Sequence, residues 1–508
     1  MSEEISMRKL YLVVFLTGAI VMVLELIGSR ILAPTLGTST FVWASIIGVI
    51  LGAMSLGYFY GGKIADSRPN LKTFSSIIFL SGVFVFFIII VKDQILNISP
   101  FLGVRLGSVF ASVFLFAIPS FLLGMVSPYA VRLSMENVES SGRTVGNLYA
   151  VSTFGSIIGT FSAGFYLIPA FGSINILYVI AISLFVISLF SNGWRKKQVT
   201  EVVLASFVLG AFSWTAEATN GKKFLFETDS AYNHIRVSDT EKDGRAIRVM
   251  SVEDFFDSGM YIDSDELVFE YTKYYALDEV FGGKIDRAVM FGGAAYSVPK
   301  DFLRRNSEGV IDVVEIDPKT TEIARKYFNL EDDERMNIIH QDARIFLNEF
   351  EEKGKGEYDA IYNDAFSSAC AMPAHLTTVE ALRKAYNLLD ENGVYISNII
   401  SSISGNKSTF FRAEYKTISE VFDGVYVFST QPSSYGSEGV QNLIIVATKN
   451  SEDINKIIVD FKEKNDDEKI DALLENYWQE DIKTDDVEVL TDDFAPVDYY
   501  ASAVCSTR

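Results

Sequence analysis

The feature that most restricts this sequence is a series of long apolar runs within its N-terminal 214 residues. A helix that crosses a bilayer needs about 20 mostly apolar residues, because lipid cannot satisfy the hydrogen-bonding groups of the backbone. Six runs approach this length, and a seventh is shorter; they are 10–27, 41–60, 74–91, 108–126, 145–168, 174–190 and, last, 199–214. We therefore predict a polytopic transmembrane helical domain over residues 1–218, with the lipid bilayer as a partner.

Small residues recur inside two of these runs. They are Gly48, Gly52 and Gly57 in the second run, and Gly155, Gly159 and Gly164 in the fifth. Small side chains at such spacing let helix backbones approach closely in lipid. The pattern predicts a packed helical bundle and not a set of separate anchors.

One carboxylate, Glu25, lies near the end of the first run and is followed by Arg30. Ionisable residues inside a membrane are costly and often functional. The alternative is that Glu25 and Arg30 form an ion pair at the membrane surface. The sequence leaves both interpretations open.

The C-terminal half, predicted as a second domain over residues 219–508, is acidic and carries most of the net charge of −21. Such a surface lacks the basic footprint that nucleic-acid binding requires, so we expect no nucleic-acid partner. Cys370 and Cys505 lie far apart, and His234, His340 and His375 are scattered. We therefore expect no metal site.

Short β-rich segments alternate with helical segments in this half. The predicted strands of the alternating part are 288–291, 310–316, 359–363, 393–398, 424–428 and 442–447, with a further short run at 337–339. Alternation of this kind predicts a doubly wound, mostly parallel sheet. Two earlier segments, 234–238 and 246–252, flank a charged turn and predict a small β-hairpin region before the sheet.

Two strand ends carry residues suited to a nucleoside. The first strand ends in Phe291-Gly292-Gly293, where glycine lets a ligand approach the backbone. The second ends in Glu315, which is placed to accept hydrogen bonds from ribose hydroxyls. This spacing does not by itself distinguish a nicotinamide cofactor from an S-adenosyl nucleoside, although the incomplete GxGxxG motif disfavours the nicotinamide.

Two further acids follow strands. Asp342 comes after the run 337–339, and Asp364 follows the strand 359–363, where α/β enzymes place reactive groups. Either acid alone could be a simple cap for the next helix. Three acids at three successive strand ends favour a shared site.

These residues, together with motifs in the apolar half, resemble the membrane-fused spermidine synthase-like (polyamine aminopropyltransferase) family. The apolar motifs are Glu25-Leu26-Ile27-Gly28-Ser29-Arg30 with Ala33-Pro34, Gly61-Gly62-Lys63-Ile64-Ala65-Asp66, and Asn147-Leu148-Tyr149-Ala150. The resemblance implies a transmembrane helical bundle followed by an α/β methyltransferase-like (Rossmann-type) domain with a small N-terminal β subdomain. It also implies a possible homodimer.

The resemblance further implies the site residues. Gly292 and Gly293 would line the S-adenosyl site, Glu315 would bind ribose, and Asp342 with Ala343 would meet adenine. Asp364 would be the catalytic aspartate, and Tyr232 and Tyr271 would contact the small-molecule substrate. The co-substrate would be S-adenosylmethionine or its decarboxylated form, with no metal.

The sequence departs from the family pattern where a diamine would bind. Soluble spermidine synthases have an aspartate at the position of Ala295 and a second one at that of Ser367. Their tyrosine-histidine-glutamate stretch corresponds here to Phe269-Glu270-Tyr271. A desolvated ammonium group without a counter-charge is unfavourable by several kcal/mol. The adenosyl half of the site is therefore better supported than the polyamine half.

Three functions follow as alternatives. The first is aminopropyl transfer to an amine with release of methylthioadenosine. The second is a reaction of intact S-adenosylmethionine, either aminocarboxypropyl transfer, elimination or cyclisation. The third, ranked lowest, is transport through the bundle with nucleoside sensing by the soluble half.

Basic residues concentrate in alternate loops, which places the N-terminus in the cytoplasm. Seven crossings would then place the C-terminal domain outside, away from any S-adenosylmethionine. Either the run 199–214 does not cross, or one span is miscounted. We expect a multi-pass protein of the cell membrane with a cytoplasmic catalytic domain.

Overall fold

The computed structural model describes residues 7–37, 39–135, 141–192, 224–252, 255–351, 356–366, 372–465 and 467–505. The chain divides into two compact units. One contains Met1–Lys223 with Thr228–His234, and the other contains Phe224–Glu227 with Ile235–Arg508. The predicted run 199–214 and the predicted boundary at residue 218 lie outside the described residues.

The first unit is helical. Its long helices in the described residues are α1 (Met7–Leu36), α2 (Thr40–Ser67), α3 (Leu71–Ile98), α4 (Gly103–Ser134), α5 (Ser141–Ser162) and α6 (Ser173–Asn192), with the short helical segments Ala163–Leu167 and Ile168–Phe171 between the last two. The described residues contain five helical stretches long and apolar enough to cross a membrane, because Leu71–Ser134 counts α3 and α4 together. A short 3-10 turn, Ser99–Leu102, joins these two helices. Each of the six longer predicted runs falls on one of these stretches.

Three glycines of the pattern let helix backbones meet in this unit, in two helix pairs. A Cβ atom built on Gly57 of α2 would lie 2.2 Å from the Phe121 carbonyl oxygen of α4. One built on Gly155 of α5 would lie 2.1 Å from the Phe15 carbonyl oxygen of α1, and Gly159 meets Ala19 similarly. Close packing through these glycines agrees with the sequence pattern.

The other three glycines of the pattern do not lie where two helix backbones approach each other. A Cβ atom added at Gly48, Gly52 or Gly164 would meet no atom within 4 Å. The prediction that all six glycines mediate packing is therefore wrong for these three. They lie on helix faces that the described residues leave uncovered.

Glu25 and Arg30 do not pair. Five residues of α-helix turn the two side chains to different faces, and no ion pair joins them in the described part of the chain. The Arg30 guanidinium instead donates hydrogen bonds to the carbonyl oxygens of Ala231 and Tyr232, which belong to the same compact unit. The ion-pair interpretation is therefore wrong.

A small antiparallel sheet precedes the main sheet. It contains four strands in the order β1 (Phe226–Asp229), β2 (His234–Lys242), β3 (Arg245–Val252) and β4 (Phe255–Tyr261). The predicted hairpin is confirmed in β2 and β3, with Asp243 and Gly244 in the left-handed region at the turn. A helical segment, residues 270–281, then leads to the main sheet.

The main sheet has seven strands in the order β10-β11-β9-β8-β5-β6-β7. Its strands are β5 (Arg287–Phe291), β6 (Val310–Val314), β7 (Met336–Ile339), β8 (Tyr358–Asn363), β9 (Leu389–Ser401), β10 (Gly424–Ser429) and β11 (Gln441–Thr448). Only β11 runs against its neighbours, β9 and β10. The mostly parallel sheet that the alternation predicts is confirmed, and the fold is the α/β methyltransferase-like arrangement that the family resemblance implies.

Helices cover both faces of this sheet. They include α7 (Ser297–Arg305), α8 (Pro318–Tyr327), α9 (Ala343–Glu351), α10 (Val379–Leu388), α11 (Thr409–Ser419), α12 (Ile454–Lys464), α13 (Glu468–Leu474) and α14 (Val497–Cys505). Along β9 the side chains alternate between two cores, with Tyr395 and Ile399 in one and Val394 and Ile396 in the other. The carboxyl ends of the parallel strands therefore meet at one edge, where ligands of such sheets bind.

The two kinds of glycine position predict opposite effects of one substitution. Gly155→Ala should destabilise the helical unit by about 1–3 kcal/mol, because the new methyl group overlaps a backbone carbonyl that cannot move alone. Gly52→Ala meets no atom and should stabilise its helix by up to about 1 kcal/mol. Thermal unfolding in detergent measures both; equal shifts of the two variants would contradict the described packing.

Candidate active site

The loop after β5 has an unusual backbone. Gly292 has φ of +91°, and Ala294 and Tyr296 also lie in the left-handed region at +45° and +59°. A Cβ atom on Gly292 would lie 2.7 Å from the Asp364 carbonyl oxygen at the end of β8. Only glycine fits this position without strain. The tight turn thus places the Gly292 backbone against Asp364.

The Glu315 side chain shapes this loop. One carboxylate oxygen, Oε2, accepts hydrogen bonds from the backbone amides of Gly293 at 2.8 Å and Ala294 at 3.3 Å. The other, Oε1, accepts from the Asp317 amide at 2.9 Å. Burial raises the pKa of Glu315, and these amide donors oppose the rise. A carboxylate has about four acceptor positions, so about one remains for a ligand hydroxyl.

Asp342 has the contacts of a helix cap. Its Oδ1 accepts from the Arg344 amide at 2.7 Å and the Ile345 amide at 3.3 Å, at the start of the helix that begins with Ala343. Its Oδ2 lies 3.1 Å from His375 Nε2, and this contact contributes most to lowering the pKa of Asp342. The contact of Asp342 and Ala343 with adenine stays a prediction.

Asp364 has a different environment. Asn398 Nδ2 donates a hydrogen bond of 2.8 Å to its Oδ1. The side chain keeps some exposure, yet protein atoms surround it closely enough that burial raises its pKa to about 7. The Asn398 hydrogen bond, and then Tyr275 and Tyr271, oppose this rise. Asp364 is therefore a carboxylate that can exchange a proton near neutral pH.

The residues predicted to contact the substrate lie in different places in the structure. Tyr271 lies close enough to Asp364 to affect its pKa, whereas Tyr232 belongs to the helical unit. Ala295 is fully buried in an apolar cluster with Met250 and Met260, so no polar ligand atom contacts its side chain favourably. Ser367 lies outside the described residues.

Sequence reasoning missed three residues near Asp364. Tyr275 is almost fully buried, and its hydroxyl has no hydrogen-bond partner at normal distance in the described part of the chain, although it influences the pKa of Asp364. Asn398 lies in β9, and Asn442, in β11, donates to it. The sequence signal that could have indicated them was an asparagine in each of two largely apolar strands, Asn398 and Asn442.

Comparison with known proteins gives the family. Residues 284–456 match the spermine/spermidine synthase domain. A polyamine aminopropyltransferase from Vibrio vulnificus is 28% identical over 208 residues, which are 41% of this chain and 64% of that relative. The chain thus spans less than two thirds of this relative's length.

Two further matches cover different shares of the chain. An eEF1A lysine and N-terminal methyltransferase from Xenopus laevis is 33% identical over 96 residues, 18% of this chain and 14% of that protein. A probable spermidine synthase structure from Corynebacterium glutamicum aligns with a TM-score of 0.42 and 18% identity, covering 54% of this chain and 97% of that one.

The strand order and the strand-end acids define the C-terminal half as a methyltransferase-like α/β domain. Within that class, the domain match and the aminopropyltransferase relative place this half of the chain in a spermidine synthase-like family. The family that the sequence motifs indicated is therefore confirmed for the C-terminal half.

The Gly292 contact predicts a difference between two glycines with left-handed backbones. Gly244→Ala, which meets no atom within 4 Å, should lower the free energy of unfolding by about 1 kcal/mol through backbone strain alone. Gly292→Ala adds a clash with the Asp364 carbonyl and should lose more stability. Melting of both full-length variants provides the test, and equal losses would argue against this contact.

Proposed function

We propose that the chain is a spermidine synthase-like transferase that moves an aminopropyl-type group from an S-adenosyl donor to an amine. The observation that carries the proposal is Asp364: burial raises the pKa of its carboxyl group to about 7, and its backbone lies against the glycine loop that follows β5. The domain match to spermine/spermidine synthase supports the same chemistry. The co-substrate is S-adenosylmethionine or its decarboxylated form.

The proposed reaction forms a bond between the amine nitrogen and the donor carbon attached to sulfur. The carbon–sulfur bond breaks, and its electron pair stays on sulfur, which turns the sulfonium into neutral methylthioadenosine. The nitrogen then gives up one proton. Asp364 accepts this proton, and its raised pKa makes it a stronger base than an ordinary aspartate. The protein otherwise has to align the two reactants.

The adenosyl part of the donor is assigned to the loop and the neighbouring strand ends. The backbone of Gly292 and Gly293 approaches the nucleoside, and the remaining acceptor position of Glu315 takes a ribose hydroxyl. Asp342 and Ala343 lie at the start of the helix after β7, in reach of the adenine by the family pattern. Tyr271, beside Asp364, is assigned to the acceptor amine.

A second donor is favoured by one observation, an alanine at position 295, where soluble spermidine synthases have an aspartate. A carboxylate at this position would hold the primary amine of a decarboxylated donor and repel the α-carboxylate of the intact one. Its absence favours intact S-adenosylmethionine, with aminocarboxypropyl transfer, elimination or cyclisation as the reaction. Methylthioadenosine is released in each case.

The helical unit supports a membrane location. Five described stretches are long and apolar enough to cross a bilayer. We assign the protein to the cell membrane as a multi-pass protein with a cytoplasmic catalytic domain, since S-adenosylmethionine is made inside cells. Cell fractionation and protease treatment of sealed vesicles test the location and the side on which the domain lies.

Replacement of the proposed base tests the reaction. Asp364→Asn removes the proton acceptor while keeping the shape, so methylthioadenosine release should fall by about 10²–10⁴-fold. Nucleoside binding by calorimetry should persist. The control is Asp423→Asn, because Asp423 is exposed and precedes β10 at the opposite edge of the sheet. Unchanged turnover in the Asp364 variant would exclude Asp364 as the base.

The raised pKa of Asp364 gives the reaction a defined pH dependence. A general base acts in its ionised form, so kcat/KM should rise with pH and level off above about 7. Methylthioadenosine release measured between pH 5 and 9 shows the profile. A profile that levels off near the ordinary aspartate value, about 4, would contradict the described environment.

Separate incubation with each donor distinguishes the two forms of the proposal. Turnover of the decarboxylated donor that requires an added amine indicates aminopropyl transfer. Consumption of intact S-adenosylmethionine without an added acceptor indicates elimination or cyclisation. Mass spectrometry of the products identifies which bond forms in each case.

A further inference from the structure

A series of side-chain amides connects the antiparallel strand β11 to Asp364. Asn442 Nδ2 in β11 donates to Asn398 Oδ1 in β9 at 2.9 Å. Asn398 Nδ2 then donates to Asp364 Oδ1 at 2.8 Å. Two strands, β11 and β9, and the residue that follows a third, β8, thus contribute one side chain each to a continuous series of hydrogen bonds ending on the proposed base.

The register of the strands explains the alignment. Asn398 pairs with Ile444 of β11, so Asn442, two residues earlier in that strand, projects from the same face. On the other side, Asn363 pairs with Ser397, which brings Asp364 next to Asn398. Asn398 is only 1% exposed, so solvent does not replace these hydrogen bonds.

An amide group presents a donor at one end and an acceptor at the other. If Asn398 were turned over, its oxygen would face the oxygen of the Asp364 carboxylate. Asn442 prevents this, because its N–H group holds the Asn398 oxygen on the far side. The N–H of Asn398 is then directed at Asp364, and the second carboxylate oxygen, Oδ2, stays outside this series.

We propose that Asn398 and Asn442 are positioning residues that keep Asp364 ionised and oriented for the acceptor amine. The assignment rests on the proposed role of Asp364 as the base. It explains how a surrounded carboxylate can accept a proton, since a donated N–H favours the charged form. The titratable groups that act on Asp364 are Tyr275 and Tyr271. Burial raises the pKa of Tyr275 well above its ordinary value, so it adds no charge beside Asp364 at neutral pH.

The hydrogen-bonded series Asn442–Asn398–Asp364, called the relay below, is tested by replacing the N–H donor of Asn442 with an acceptor of nearly the same shape. In Asn442→Asp a carboxylate replaces the N–H donor, so it should attract the Asn398 amino group and turn its oxygen toward Asp364. The ionised form of Asp364 loses its donor. We expect the pH at which kcat/KM levels off to move upward by about one unit, which is about tenfold less activity on the acidic limb.

Two variants control this experiment. Asn392→Asp adds the same charge at an exposed position of β9, the strand of Asn398, near the end farthest from Asn398, and should leave the profile unchanged. Asn442→Leu removes the hold on Asn398 without adding charge and should shift the profile in the same direction by less. Activity lowered equally at every pH in the Asn442 variants, or a shift in Asn392→Asp, would overturn the relay.

A readout without turnover separates this inference from the proposed function. Infrared absorption of the protonated carboxyl group, taken as the difference between the unmodified chain and Asp364→Asn, reports the titration of Asp364 directly. Asn442→Asp should move that titration to higher pH even if no donor is consumed. An unmoved titration overturns the relay, whereas a moved titration without turnover contradicts only the proposed reaction.

Discussion

The C-terminal half depends on one buried interaction, the Glu315 carboxylate accepting three backbone amides. Unpaired buried amides would cost about 1–3 kcal/mol each, so this side chain stabilises a loop that contains several left-handed residues. The loop conformation in turn brings the Gly292 backbone to the end of β8. The geometry around Asp364 therefore begins with a side chain two strands away, which the family pattern assigns to the ribose.

The environment of Asp364 combines two opposed effects. Burial disfavours the charged carboxylate, and the Asn398 amide and two tyrosine hydroxyls favour it. Neither effect alone would leave the group titrating near neutral pH. A salt bridge would hold the acid permanently ionised, and an apolar pocket would hold it protonated. Neutral donors give the intermediate case that proton transfer to a carboxylate requires.

Sequence patterns predicted the strands of the main sheet and the acids at their ends, because parallel strands and their termini follow local rules of periodicity. They did not predict the amide chain, since Asn398 lies 34 residues from Asp364 and 44 from Asn442. The parallel register of β8 and β9 brings Asp364 to Asn398, and the antiparallel register of β9 and β11 brings Asn442 to it. The burial of Ala295 depends on packing against a separate sheet. Whether Glu25 and Arg30 can form an ion pair depends on the helix faces to which they project. Such long-range contacts have no periodic signal.

The contact between Gly292 and Asp364 also limits how this domain can be recombined. Loop and strand meet through backbone atoms, without any side chain that could adjust between them. A loop transplanted from a dinucleotide-binding protein would have to keep a glycine at this position, in the same left-handed conformation. The loop after β5 and the end of β8 therefore have to be inherited together. A chimera with a crossover between them would fold only where both parent proteins share that backbone geometry.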